Sequence, residues 1–153
     1  MAAPDAIAAA TPAPAPTAEA LRRARLFWEQ GQADLKEAQR LLRARSHLES
    51  SYLSFQAALN ALTCVCYLHA EFRVPNFSPQ RLLAVLQGYE PDFARLEAAA
   101  QALEAAQALN PFAAERDATE EQRQSRLYYD HSDSILEAVR GYLRTHRRRF
   151  FSP

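Results

Sequence analysis

Between Ser125 and Asp133 the chain reads Ser-Arg-Leu-Tyr-Tyr-Asp-His-Ser-Asp, which crowds a permanent cation, two phenols, two carboxylates and an imidazole together. An imidazole exchanges a proton near neutral pH, and a guanidinium holds a phosphate in a planar fork of donors. Those two roles suffice for cleaving RNA without a metal. A base takes the ribose 2′-hydroxyl proton, an acid protonates the leaving oxygen, and the cation stabilises the charged phosphorane. Arg126 and His131 are therefore the candidate catalytic pair, with Tyr128 and Tyr129 beside them as candidate ligand contacts. If a helix begins here, its first amides favour the same anion. A structural reading of the same residues stays open: His131 or Ser132 caps a helix, Arg126 pairs with Asp130, and the tyrosines pack.

Other polar groups with chemical capacity are few. Gln56 and Asn60 stand four residues apart in the most apolar segment, where their amides suit a ligand's base or peptide edge, or each other. His47 reads as a helix-boundary residue, and His69 as a C-terminal cap by charge. Cys64 and Cys66 project about 200° apart on a helix, so they neither pair nor chelate one metal. No further ligands stand at zinc-like spacing, and both read as small buried hydrophobes in a reducing, cytoplasmic setting. Arg147-Arg148-Arg149-Phe150-Phe151 offers either a backbone contact for nucleic acid or a solvated helix end.

The elements that must position these groups are helical. Residues 1–17 are Ala- and Pro-rich and read as a disordered tail without a secretory leader, with Thr17 as N-cap of the first helix. Leu21, Trp28, Leu35 and Leu42 recur every seven residues, and Ala24, Gly31 and Ala38 form a narrow line between them. That line lets a second helix come close, which would justify Gly31. The second helix is expected over Leu48–Phe72, with Leu48, Tyr52, Phe55, Leu59, Leu62 and Cys66 on one face. Its apolar surface is broad enough for a central position. Pro75 and Pro79 interrupt, and Ser78 caps a short helix over Pro79–Gln87. A third long helix follows Gly88 with the stripe Phe93, Leu96, Ala100 and Leu103, and Asn110-Pro111 ends it. Asp117-x-x-Glu120 has capping-box spacing for a short helix. The last helix is expected over His131–Arg147, with Ile135, Val139, Tyr142 and His146 on its stripe.

Composition agrees. In 153 residues there are 48% hydrophobic and 24% charged side chains, which suits a globular domain. Eighteen basic groups balance eighteen acidic ones, so no global field favours nucleic acid or a membrane. All basic residues but Lys36 are Arg, which fits codon bias as well as anion recognition. Three glycines are too few for phosphate-cradling loops or hairpins, and no apolar run reaches membrane-span length. The expected fold is an all-α, up-and-down four-helix bundle with a short extra helix over residues 18–149, leaving 150–153 as a tail.

The first-helix segment Ala33–Leu42 (ADLKEAQRLL), then Ser51–Leu68 (SYLSFQAALNALTCVCYL), the proline-bounded Pro79–Leu86, and Arg-Leu-Tyr-Tyr before SDSILEAVRGYL follow one another in a recognisable order. Over about residues 20–146 the chain resembles the HEPN family (higher eukaryotes and prokaryotes nucleotide-binding domain). Catalytic members carry an Arg followed after four to six residues by a His, as Arg126-x-x-x-x-His131 does. The resemblance implies a helical module that binds a nucleotide or single-stranded RNA without a cofactor, as a homodimer with two such pairs across one cleft. It also implies a toxin-type ribonuclease or, for non-catalytic members, a protein-interaction bundle partnering a small nucleotidyltransferase. Leu127 stands where catalytic members place a polar residue, which favours the second class.

Overall fold

The computed structural model describes residues 16–70, 78–107 and 118–147. Among them every regular element is helical: α1 (Ala18–Arg43), α2 (His47–Leu68), α3 (Pro79–Gln87), a 3-10 turn (Pro91–Leu96), α4 (Glu97–Gln107) and α5 (Ala118–His146). No helix among the described residues is long and apolar enough to cross a membrane. Residues 1–15 of the expected tail, the breaks at Pro75 and Asn110-Pro111, the capping position Asp117 and the residues from Arg148 onward lie outside the described residues.

α1 starts where a side chain can satisfy its orphan amides, with Thr17 Oγ1 accepting from Ala20 N at 3.1 Å. It ends in a reversal in which Ser46 N donates to the Leu41 carbonyl and Arg45 N to that of Leu42. Arg45 takes the left-handed conformation that this motif needs, at φ 62°. Of the expected stripe of α1, Ala24, Trp28, Leu35 and Ala38 are buried, whereas Leu21 and Leu42 are half-buried and Leu41 takes the inward place near the helix's end. α2 lies against it. A Cβ on Gly31 would sit 3.2 Å from the Ala57 carbonyl oxygen and 3.4 Å from Asn60 Cβ, so the missing side chain sets how closely the two backbones approach.

α2 is the hub, packing on α1, α3 and α5, while α4 bridges α3 and α5. From Ala57 to Cys66 only Asn60 escapes full burial, because neighbours cover α2 on several sides. Three hydroxyls tie this hub to its neighbours: Ser50 Oγ donates to the Ala38 carbonyl, Ser132 Oγ to that of Ser54, and Ser125 Oγ meets His47 Nδ1 at 3.0 Å.

Four expectations need correction. α2 stops at Leu68, short of Phe72, where Ala70 turns into positive φ. Leu48 and Tyr52 belong to the α2 stripe in sequence yet are exposed, because their face of α2's first turns is left uncovered while Ser50 on another face is buried. The helix after Gly88 is not uniform. Pro91 supplies no amide to an α-helical ladder, and the tighter 3-10 turn aligns Phe93 and Leu96 three residues apart, both buried. Finally, α5 begins at Ala118 rather than His131. Residues 118–124 lack an apolar stripe but consist largely of good helix formers, and Glu120 and Glu121 complement the positive end of the helix.

Candidate functional site

The early start of α5 changes the setting of the Ser125–Asp133 cluster. These residues sit inside a continuous helix whose amides are already engaged, so no helix N-terminus is offered to an anion there. Arg126 and His131, five residues apart, project about 140° from one another at roughly 100° per residue. The Arg126 guanidinium turns to Asp130, with Nε 3.4 Å from a carboxylate oxygen and the two side chains 68% and 54% exposed. His131 is half-buried and makes no hydrogen bond or ion pair with another described residue. Tyr128 is buried, whereas Tyr129 lies at the edge of the core.

Tyr129 and Arg126 do share a surface. Burial pushes the Tyr129 phenol above its ordinary value and Asp133 adds to this, while Arg126 and, from α1, Arg43 oppose it. Burial likewise raises the Asp133 carboxyl, with Glu137 adding to the effect. Two guanidinium groups and two carboxylates, Asp130 and Asp133, thus face this region, and their charges balance.

The other sequence candidates divide. Asn60 Nδ2 donates to Asp34 Oδ2 at 2.9 Å, and Gln30 holds the other oxygen of Asp34 at 2.7 Å. That amide serves the α1–α2 seam. Gln56 is half-buried and does not bond to Asn60. His47 opens α2 as expected, and its ring is held by Ser125. The Ser125 hydroxyl donates to the Gln122 carbonyl, so it accepts from His47 Nδ1–H and is no nucleophile paired with a base. Both cysteines are free and buried, and burial raises the Cys64 thiol far above its normal range. No group of three or more His, Cys, Asp or Glu among the described residues is placed to hold a metal.

Two features escaped the sequence reading. One is a shallow groove of about 560 Å³ between the end of α1 and the start of α2, floored by Leu41, Leu48, Tyr52 and Leu53 and edged by Glu37, Arg40 and Glu49. The other lies where α2 ends. His69 Nε2 is 3.0 Å from the Tyr142 hydroxyl and 3.7 Å from a Glu90 carboxylate oxygen. Tyr89 stacks on the imidazole at 4.6 Å, and His146 lies 4.9 Å from the Tyr142 ring. His69 is the C-cap residue of α2 as expected, but its ring serves this cluster, and burial lowers its pKa rather than favouring the charged form. Seventy-three residues separate His69 from Tyr142, so no local spacing announces the pair. Nothing in the spacing of Leu48 and Tyr52, which continue the apolar stripe of α2, announced that they would be exposed in the groove.

Comparison with known proteins returns no match: no family model, no curated protein and no solved structure is significantly similar to this chain.

Proposed function

We propose that this chain is a HEPN-like helical module that acts by holding a partner protein rather than by cutting RNA. One observation carries the reading: on α5, Arg126 and His131 diverge by about 140°, and Arg126 closes on Asp130. Metal-free phosphoryl cleavage needs the cation and the proton-transfer group converging on one phosphate, and a single chain offers no such convergence. Leu127, 49% exposed between them, adds an apolar surface where a reacting phosphate would require polar groups. The order of elements supports the HEPN-like part: a long α1, a central apolar α2, the short proline-started α3 and a long closing α5 follow the resemblance. The groove with its exposed Leu48 and Tyr52 suits the apolar face of a partner helix, and the small nucleotidyltransferase implied by the resemblance is the partner we favour. Free buried cysteines accord with a cytoplasmic setting.

A ribonuclease is the second reading, and the Arg126-to-His131 spacing favours it. In a homodimer the imidazole of one copy and the guanidinium of the other would have to supply the convergence that one chain lacks. The test is incubation of single-stranded RNA with the purified protein in chelator. Intact RNA at high protein concentration supports the interaction module. Degradation that both His131→Ala and Arg126→Ala abolish, with the helical circular dichroism unchanged, overturns it. A nucleotidyltransferase encoded beside this gene, bound by the wild type and released by Leu48→Asp, would complete the case.

A further inference from the structure

The His69 cluster allows its protons to be placed. Nε2 faces the Glu90 carboxylate, which only accepts, so in the neutral ring Nε2 carries the proton and donates to the Tyr142 oxygen. The opposite nitrogen, Nδ1, is then a bare lone pair. It is buried and has no hydrogen-bond partner among the described residues, and the His69 side chain as a whole is only 8% exposed. Arg147 Nε, at the end of the same cluster, is likewise buried and unpartnered. A native structure rarely leaves two such atoms together. With no surface open at Nδ1, the one ligand that reaches it without displacing protein is a proton.

We propose that this cluster is a pH-sensitive clasp: uptake of a proton at His69 Nδ1 releases the C-terminal turns of α5 from the end of α2. Among the described residues, the charged and titratable groups around the ring are Tyr89 and Glu90, from the connection after α3, Tyr142 from α5 and Arg147 just past its end, with His146 reaching the cluster through Tyr142. A protonated Nδ1 places a donor in a buried position that holds no acceptor among the described residues, near the permanent cation of Arg147. Among the described residues Glu90 is the compensating charge, and it faces the other nitrogen. Burial is the main influence holding the ring below the ordinary histidine value; Glu90 opposes it and Arg147 adds to it. Because the unfolded chain takes the proton first, stability is complete above the ordinary histidine pKa of about 6.5. It falls as the pH drops from there through the folded value, then levels off.

The wild-type ring titration by NMR is the first measurement, and it needs no variant. His69 titrating below 6.5 is expected, whereas a midpoint at or above that value overturns the proposal. The second measurement is amide exchange at pH 7 and pH 5, corrected for intrinsic rates. Protection over residues 139–146 should fall at least tenfold more than protection over residues 28–35, which lie in the α1–α2 seam. Equal losses in both segments, or none, refute the clasp. His69→Gln keeps a donor toward Tyr142 and cannot titrate, so the differential loss should vanish in that variant. Its persistence would place the switch elsewhere.

Discussion

Gly31 and Gly141 both lie within helices, and the same substitution should have opposite consequences at the two positions. Replacing glycine by alanine in a helix interior gains about 1 kcal/mol of propensity, since the backbone loses less entropy on folding. At Gly141 a Cβ meets nothing within 4 Å, so Gly141→Ala should keep the whole gain. For a domain of this size that corresponds to a rise in Tm of about 2–4 °C. At Gly31 the new carbon would stand 3.2 Å from the Ala57 carbonyl oxygen, a backbone atom of α2 that cannot rotate away. Accommodating it means moving α1 and α2 apart by a few tenths of an ångström along a seam of Ala24, Ala38, Ala57 and Ala61, all fully buried. Overpacking of this kind costs about 1–3 kcal/mol, so Gly31→Ala should come out between neutral and 2 kcal/mol destabilising by that estimate. Urea denaturation followed at buried Trp28, three residues from Gly31, and by far-ultraviolet circular dichroism gives both numbers with m unchanged. If Gly31→Ala stabilised the fold as much as Gly141→Ala, the close approach of α1 and α2 would be refuted.

Ser132→Ala removes a buried 2.6 Å hydrogen bond to the Ser54 carbonyl; equilibrium unfolding should show a loss of about 0.5–1.5 kcal/mol. The native protein should leave a thiol reagent unreacted, since Cys64 and Cys66 are buried and the Cys64 thiolate is suppressed. Full denaturation should release two reactive thiols, and rapid labelling of the folded protein would contradict the packing of α2. Arg126→Ala should leave Tm unchanged within error, because its pair with Asp130 is exposed on both sides. A large drop would mean that Arg126 joins a buried interface between chains.

The helical character of the described residues was legible in the sequence. Heptad spacing exposed α1, and Thr17 and Ser78 announced their caps, each accepting a hydrogen bond from the amide three residues on. The narrow Ala-Gly-Ala line correctly foretold a close neighbour. Apolar periodicity failed at α5's start, because a helix held by propensity and end charges carries no stripe. It failed also at Leu48 and Tyr52, where periodicity records which residues share a face but not whether another element covers that face.

Local spacing therefore determined most of the helical segments, several of their caps, and which residues share a face, since these depend on neighbours three or four residues away. Only the tertiary structure decided that Asn60 serves Asp34, that Ser125 holds His47, and that His69 meets Tyr142 and Glu90. Those outcomes depend on how helices dock against one another. Groups remote in the chain meet there through burial and hydrogen bonding, and no short-range pattern encodes which of them will face the same space.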